Sequence, residues 1–341
     1  MELNKCFIIA ELSANHGGKI EIAIDTVKAA KRAGADAIKL QTYTADTITL
    51  DSRKEEFKIN QGTHWDGMYL YDLYKEAYLP WEWHEEIFKV AKEEGLICFS
   101  SPFDKTAVDF LENLESPIYK IASFEITDIP LIEYAASKGK PMIISTGIAE
   151  IKDIELAIET CKKVGNNDIT ILKCTSAYPA LLEDANLKTI PDIIKRFGVK
   201  TGLSDHTLGT EAPVIAVALG ATVIEKHFIL DKSIGGADAH FSLDETEFKK
   251  MVDAIRLTEK IIGKVDYEMT EKKKKSRQFS RSLFVIKDVE AGDRITEENV
   301  KSIRPGFGMH PKYYNKILGK KFNKSIEKGT PLSKMHINEQ L

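Results

Sequence analysis

The stretch Gly202–Leu230, GLSDHTLGTEAPVIAVALGATVIEKHFIL, carries the pattern on which the fold rests. Two short apolar runs flank a nearly all-apolar segment of helical length; one run leads into Ser204, Asp205 and His206, the other into Glu225, Lys226 and His227. Runs this short and apolar read as strands buried on both faces, and the segment between them as a helix covered on most sides. Together they make one strand–helix–strand unit of a parallel sheet. Each strand delivers a histidine at its carboxyl end. Neutral imidazole is a common ligand for divalent transition metals, so a pair at adjacent strand ends is a candidate metal site with positions left for water and substrate. Either histidine alone would read as an ordinary polar residue at a strand end; their equivalent placement turns the reading toward a metal.

The same unit recurs upstream. Further strand-like runs are CFIIA (from Cys6), DAIKL (Asp36), LICFS (Leu96), PIYKI (Pro117), PMIIS (Pro141) and ITILK (Ile169), which with VKTGL (Val199) and TVIEK (Thr222) make eight. Between most of them lie segments of helical period, such as IEIAIDTVKAAKRAG and IKDIELAIETCKKVG, each closed by a glycine. Eight buried strands alternating with helices predict a (β/α)8 TIM barrel. A doubly wound open sheet is the alternative, but no GxGxxG follows the first strand, and eight repeats with little left over suit closure.

Two stretches break the repeat. Thr42 to Pro80 is long, polar and aromatic, and reads as an inserted loop–helix element over the barrel mouth. After Ile262 the chain turns charged, with Lys272 to Lys275 in a row, and then shows short alternating runs and turn signals. The expected organisation is a catalytic barrel over 1–263, a charged linker over 264–281 and a small, mostly β domain over 282–341.

Composition sets outer limits. Of 341 residues 43% are hydrophobic and 29% charged, and the formal charge is −4, so nothing in the overall balance points to a nucleic-acid or membrane surface. The four cysteines form no CxxC pair and suit reduced thiols, and no apolar run approaches transmembrane length, so the sequence reads as cytoplasmic.

In a barrel of this kind the active site lies at the carboxyl ends of the strands. The runs deliver there Glu11; Lys39 and Gln41; Ser100 and Ser101; Lys120, Ser123 and Glu125; Ser145; Ser176 and Tyr178; Ser204 and His206; and Glu225, Lys226 and His227. A lone buried lysine is costly, and outward alternation or a bond to Glu11 or Glu125 could account for one. Two of them, Lys39 and Lys120, with Ser101, Ser123, Ser145 and Ser204 on different strand ends, point instead to a phosphate cradle, since ammonium and hydroxyl groups are the donors a dianion needs. Glu11 and Glu125 add carboxylates able to move protons. The competing reading pairs Glu11 with His16 or Lys39 and makes Glu125 a helix cap.

The motifs FIIAELSANHGG, IKLQTYT, CFSSPF, YKIASFE, ISTGIA, KCTSAYP, EDANL, GLSDHT and EKHF, in this order, resemble the sialic acid synthase family. The tail SLFVIKDVEAGDRITEENVKSIRPGFGMHP resembles the antifreeze-like (SAF) domain of the same enzymes. The resemblance implies condensation of phosphoenolpyruvate with an N-acetylated amino sugar to a nine-carbon 2-keto acid. It implies His206 and His227 as ligands of a divalent metal, Mn2+ first with Mg2+ or Co2+ as the other candidates. It implies Lys39, Ser101, Lys120, Ser123, Ser145, Ser176 and Ser204 around phosphoenolpyruvate, and Glu11, Gln41, Tyr178 and Asp238 near the sugar. Glu125 matches a carboxylate that moves protons or activates water. Arg304 matches an arginine that reaches the sugar site of the partner in a domain-swapped homodimer. Within the family, AELSANH in place of the usual AEIGxNH, together with QTYT and HFSLD, looks most like the pseudaminic acid branch. GGADAHFSLD departs from the GPDH pattern of the sialic and legionaminic acid enzymes, which implies 2,4-diacetamido-2,4,6-trideoxy-altrose rather than N-acetylmannosamine. Two readings outside the family compete: a sugar-phosphate aldolase with Lys120 as a Schiff base, and a carbohydrate-binding protein without activity.

Overall fold

Eight parallel strands close into a barrel: β1 (Phe7–Glu11), β2 (Ala37–Thr42), β3 (Ile97–Pro102), β4 (Tyr119–Ile121), β5 (Met142–Ser145), β6 (Ile169–Cys174), β7 (Lys200–Asp205) and β8 (Val223–His227). β8 pairs back onto β1, setting Glu11 opposite His227 on one side and Lys39 on the other. The computed structural model describes residues 5–60, 62 and 65–338. The chain separates into two compact units, Met1–Gly263 and Lys264–Leu341. Residues 1–4 and 339–341 of the expected domains, and 61, 63 and 64 of the insertion, lie outside the described residues.

Strand parity explains the interior. Side chains two apart on a strand share a face. Ile9, Ala37, Phe99, Ile143, Leu172 and Val223 pack together inside the barrel, with Phe7 and Ile118 against them. Two residues further along the same strands come Glu11, Lys39, Ser101, Ser145, Cys174 and Glu225, and two beyond Ile118 comes Lys120. An apolar plug thus fills the lower barrel, and a polar layer lies directly above it at the carboxyl end. Gly202 supplies the gap on β7: a Cβ there would sit 2.7 Å from Leu172 Cδ2 and 2.3 Å from the Val223 carbonyl oxygen. The alternate residues, among them Ile8, Ile38, Tyr119, Ile144, Ile171, Leu203 and Ile224, face outward into the helix-packed core.

The helical layer comprises α1 (Ile20–Arg32), α2 (Ala45–Ile48), α3 (Leu70–Ala77), α4 (His84–Glu93), α5 (Lys105–Asn113), α6 (Ile129–Ala136), α7 (Ile151–Lys163), α8 (Thr189–Phe197), α9 (Glu211–Ala218) and α10 (Glu245–Ile262). Local chemistry sets several starts: Asp104 accepts from Thr106 and Ala107 N–H to begin α5, Asp128 accepts from Leu131 N–H to begin α6, and Asp244 and Glu247 form a capping box on α10. α9 buries Ala212, Pro213, Ala216 and Val217, as its near-uniform apolarity requires. The insertion carries α2 and α3, and it is pinned to the barrel by Tyr43, edge-on to Tyr74 and Phe103, with Trp81 Nε1 donating to the Tyr43 carbonyl at 3.1 Å.

The second unit contains α11 (Glu271–Arg277), then β9 (Ser282–Val285) antiparallel to β10 (Val300–Ile303), and α12 (Tyr314–Ile317). Regular strand is thus briefer than the alternating pattern suggests; isolated bridges such as Val289–Ile326 and Phe322–Ile337 supply further pairing around a core of Leu283, Val285, Ile295, Val300, Phe322 and Leu332. The lysine run stands on a helix, because Thr270 caps α11 by accepting from Lys273 N–H and Glu and Lys are good helix formers. No described helix is long and apolar enough to cross a membrane. All four cysteines are buried free thiols.

Candidate active site

The polar layer is an interlocked charge cluster. Lys39 Nζ lies 2.5 Å from Glu11 Oε2 and 3.9 Å from Glu225 Oε2, and Lys120 Nζ donates to Glu225 Oε1 at 3.2 Å. Ser204 Oγ donates to the same Glu225 oxygen at 2.9 Å. The sequence reading considered Glu11 or Glu125 as lysine partners; Lys39 takes Glu11, while Lys120 takes Glu225 rather than Glu125. All four charged side chains are almost wholly buried, so each needs the others. Burial pushes the Glu11 carboxyl up, Lys39 pulling against it and Glu225 adding to the rise. Burial acts the same way on Glu225, but Lys120, Lys39 and the Ser204 hydroxyl outweigh it and hold that carboxylate low.

Beside this cluster is a ring of hydroxyls. Ser123 Oγ accepts from the Gly147 N–H at 3.1 Å. A Cβ at Gly147 would fall 1.9 Å from Ser176 Oγ and 2.7 Å from Ser123 Oγ, so glycine is what lets these two side chains approach the backbone after β5. Ser145 and Ser176 hydroxyls are buried without a hydrogen-bond partner. Buried donors left unpaired are costly, and an oxyanion among them would satisfy both. Lys39 Nζ reaches Ser101 Oγ at 3.4 Å, which ties the lysine to the hydroxyl set. Glu125, on the turn after β4, has one buried carboxylate oxygen without a partner, and burial pushes its pKa up to about 7 with Lys120 opposing. It does not cap the next helix; Asp128 does.

His206 and His227 lie side by side with ring centroids 5.3 Å apart. His206 Nδ1 is 2.9 Å from the Thr175 carbonyl oxygen, a contact that requires a proton on Nδ1 and leaves Nε2 as the lone-pair nitrogen. His227 Nδ1 is buried with no hydrogen-bond partner, and Asp238 Oδ2 lies 3.6 Å from it. Burial first, and then the positive charges of His206, Lys39, Lys120 and Lys226, hold His227 neutral. Two imidazoles with a nitrogen each to offer, His206 after giving up the proton that its raised pKa favours, fit a divalent metal. Among the described residues no set of three or more His, Cys, Asp or Glu side chains converges as a cage, so the protein would supply only part of the coordination shell.

A pocket wall follows on the β8 side. Tyr178 packs on His206 with centroids 4.4 Å apart, and Phe241 lies 4.8 Å from the His227 ring and 5.4 Å from Tyr178. Gln41 Nε2 donates to Glu11 Oε1 at 3.0 Å and to Ser13 Oγ at 2.9 Å. The barrel thus gathers the expected binding, catalytic and metal residues except Arg304, which belongs to the second unit and is exposed there, while Ser100, bonded to Thr42, and Lys226, paired with Asp205, lie on the outward-facing parity of their strands. Glu225 was expected at a strand end but given no role, and Cys174, Ser13 and Phe241 were absent from the expected set. Parity points to both Glu225 and Cys174: Glu225 is two before His227, and Cys174 is two beyond Leu172 in the plug.

The model of the NeuB family matches residues 26–267, and that of the SAF domain residues 280–338. A pseudaminic acid synthase of Campylobacter jejuni subsp. jejuni serotype O:23/36 is 53% identical over 96% of this chain and 95% of its own. One from Helicobacter pylori is 49% identical over 98% of each. Among solved structures, an N-acetylneuraminic acid synthetase from Leptospira borgpetersenii, in complex with citrate, is 31% identical and superposes with a TM-score of 0.72 over 80% of this chain and 90% of that one.

Proposed function

Because the chain belongs to the NeuB family, we infer that it carries out the pseudaminic acid synthase reaction: phosphoenolpyruvate, 2,4-diacetamido-2,4,6-trideoxy-altrose and water give a nine-carbon 2-keto acid and phosphate. The observation that carries the reading is the pair of unpaired buried hydroxyls, Ser145 and Ser176, set in the same barrel mouth as Lys39, Lys120 and the two-imidazole site. An oxyanion donor set and a metal site in one cavity suit a phosphorylated enol reacting with a carbonyl.

In this mechanism Lys39, Lys120, Ser101, Ser123, Ser145, Ser176 and Ser204 bind the phosphoenolpyruvate anions and keep stabilising the phosphate as it leaves. His206 and His227 would hold the divalent metal, proposed as Mn2+, whose chemistry is to polarise the sugar's open-chain aldehyde and lower the pKa of water. Tyr178, Gln41, Asp238 and Glu11 orient the sugar so that its aldehyde carbon faces carbon 3 of phosphoenolpyruvate. The new C–C bond leaves positive character at carbon 2. Water adds there, and the tetrahedral intermediate expels phosphate with C–O cleavage. Glu125, with a pKa near 7, is placed on the strand-4 turn to take the proton from that water.

The same reading assigns a homodimer in which Arg304 of one protomer completes the sugar site of the other. Exposed apolar side chains support it: Phe124, Ile148, Leu181 and Leu208 on the loops at the barrel mouth, and Phe279 and Phe307 near Arg304 in the second unit. The test is a phosphate-release assay with a panel of amino sugars. Release that needs both phosphoenolpyruvate and the diacetamido sugar is expected, and comparable kcat/KM on N-acetylmannosamine would overturn the substrate. A borohydride-trapped Lys120 adduct would favour the aldolase alternative instead.

A further inference from the structure

Ser13 stands where β1 leaves the barrel, in a turn closed by Asn15 N–H to the Leu12 carbonyl at 3.0 Å. Its φ is +45°, a left-handed conformation at the first central position of that turn, where glycine is the residue without steric penalty. Three non-glycine residues among those described have positive φ. The other two have ordinary local reasons: Glu115 follows the end of α5, and Asn186 is of a type that tolerates this region. Ser13 has no such reason, and strain kept at an active site points to work done by the side chain.

That side chain is buried against Gln41, one of the sugar-facing groups. Ser13 Oγ accepts from Gln41 Nε2 at 2.9 Å, while the other amide proton of Gln41 goes to Glu11 Oε1 at 3.0 Å. With both protons committed, Gln41 can present only its carbonyl oxygen to the cavity. On the same turn the Ala14 N–H lies 3.5 Å from Asp238 Oδ2, so Asp238 borders the same part of the cavity. One hydroxyl, with Glu11, therefore fixes the direction of the Gln41 amide and places one acceptor toward the ligand.

We propose that Ser13 is a positioning residue that sets amino-sugar specificity: through Gln41 it turns a hydrogen-bond acceptor toward this part of the pocket, which selects a sugar group carrying an N–H or O–H donor. The inference rests on the reading of the cavity as an amino-sugar site. It places no contact of Ser13 itself on the sugar and none on phosphoenolpyruvate.

The test is steady-state kinetics of wild type, Ser13→Gly and Ser13→Ala with each substrate varied in turn, alongside thermal melting. Ser13→Gly removes both hydroxyl and strain, so it should melt no lower than wild type. Ser13→Ala removes the hydroxyl and keeps the strain. Both should raise the KM for the amino sugar about tenfold, the worth of one good polar contact, with the KM for phosphoenolpyruvate within about twofold of wild type by the same reasoning. Wild-type sugar KM in either variant, or an equal rise in both KM values, would overturn the proposal. If the panel shows another amino sugar to be turned over by wild type, that revises the parent reading, and the same comparison made with that sugar decides the role of Ser13.

Discussion

Ser204 donates its hydroxyl to Glu225 across the β7–β8 ladder, and the residue two places beyond each is a histidine, His206 and His227. The two imidazoles thus share their strands with the Ser204–Glu225 edge of the charge cluster, one pleat apart. Lys120 depends on the same carboxylate. Glu225→Ala should therefore destabilise the barrel by about 3–5 kcal/mol, the usual cost of stranding a buried charge, and Glu225→Gln by less. Urea denaturation measures both; a loss under about 1 kcal/mol for the alanine variant would mean the cluster is not the coupled unit described.

Gly147→Ala tests the hydroxyl cradle. Its methyl group would overlap Ser176 Oγ and crowd Ser123 Oγ, so both hydroxyls must move off the proposed phosphate position. The KM for phosphoenolpyruvate should rise by about tenfold or more, as for loss of charge-assisted hydrogen bonds, and the KM for the sugar should change little.

Glu125 gives a pH test. Its folded pKa, raised by burial to about 7 from 4.5, means the fold prefers the protonated acid. Stability from this group is complete below 4.5 and is lost as pH rises through about 7. Glu125→Gln should consequently gain stability over wild type as pH climbs through that window, and kcat should lose an ionisation near 7. Parallel stability–pH curves for the two proteins would refute the assignment.

For the metal, treatment with a chelator should abolish phosphate release and Mn2+ should restore it. Mn2+ should also raise the Tm of wild type and leave that of His227→Ala unchanged, because ligand binding to the native state alone stabilises it. Full turnover by demonstrably metal-free enzyme is the result that sinks the two-imidazole site.

Arg304→Ala separates the dimer reading from the barrel chemistry. Sedimentation should show a dimer for both wild type and variant, with sugar turnover lost only in the variant. A monomeric, fully active wild type would remove the second unit from the active site.

The barrel was legible because buried parallel strands are apolar on both faces, so each announces itself as a run and each run ends where polar residues begin. Those ends were read slightly short: Glu11, Gln41 and Thr42, Ser101, Cys174, Ser204 and Asp205, and His227 remain in the ladder although they are polar. They can do so because the barrel interior supplies partners that an ordinary strand end lacks. The helix inside 264–281 was read as linker, since a charged run carries no apolar stripe to show its period.

By itself the sequence determined the repeat of strand and helix, the family, and the types of donor brought to the barrel mouth, all of which depend on local pattern and residue chemistry. Tertiary structure alone decided who pairs with whom: that Lys120 meets Glu225, that Ser145 and Ser176 are left without partners, and that Ser13 accepts from Gln41. Barrel closure brings β8 against β1 across more than two hundred residues of chain, placing His227 opposite Glu11. The strength and protonation of every group in that layer follow from burial and neighbouring charge, which exist only once the barrel has closed.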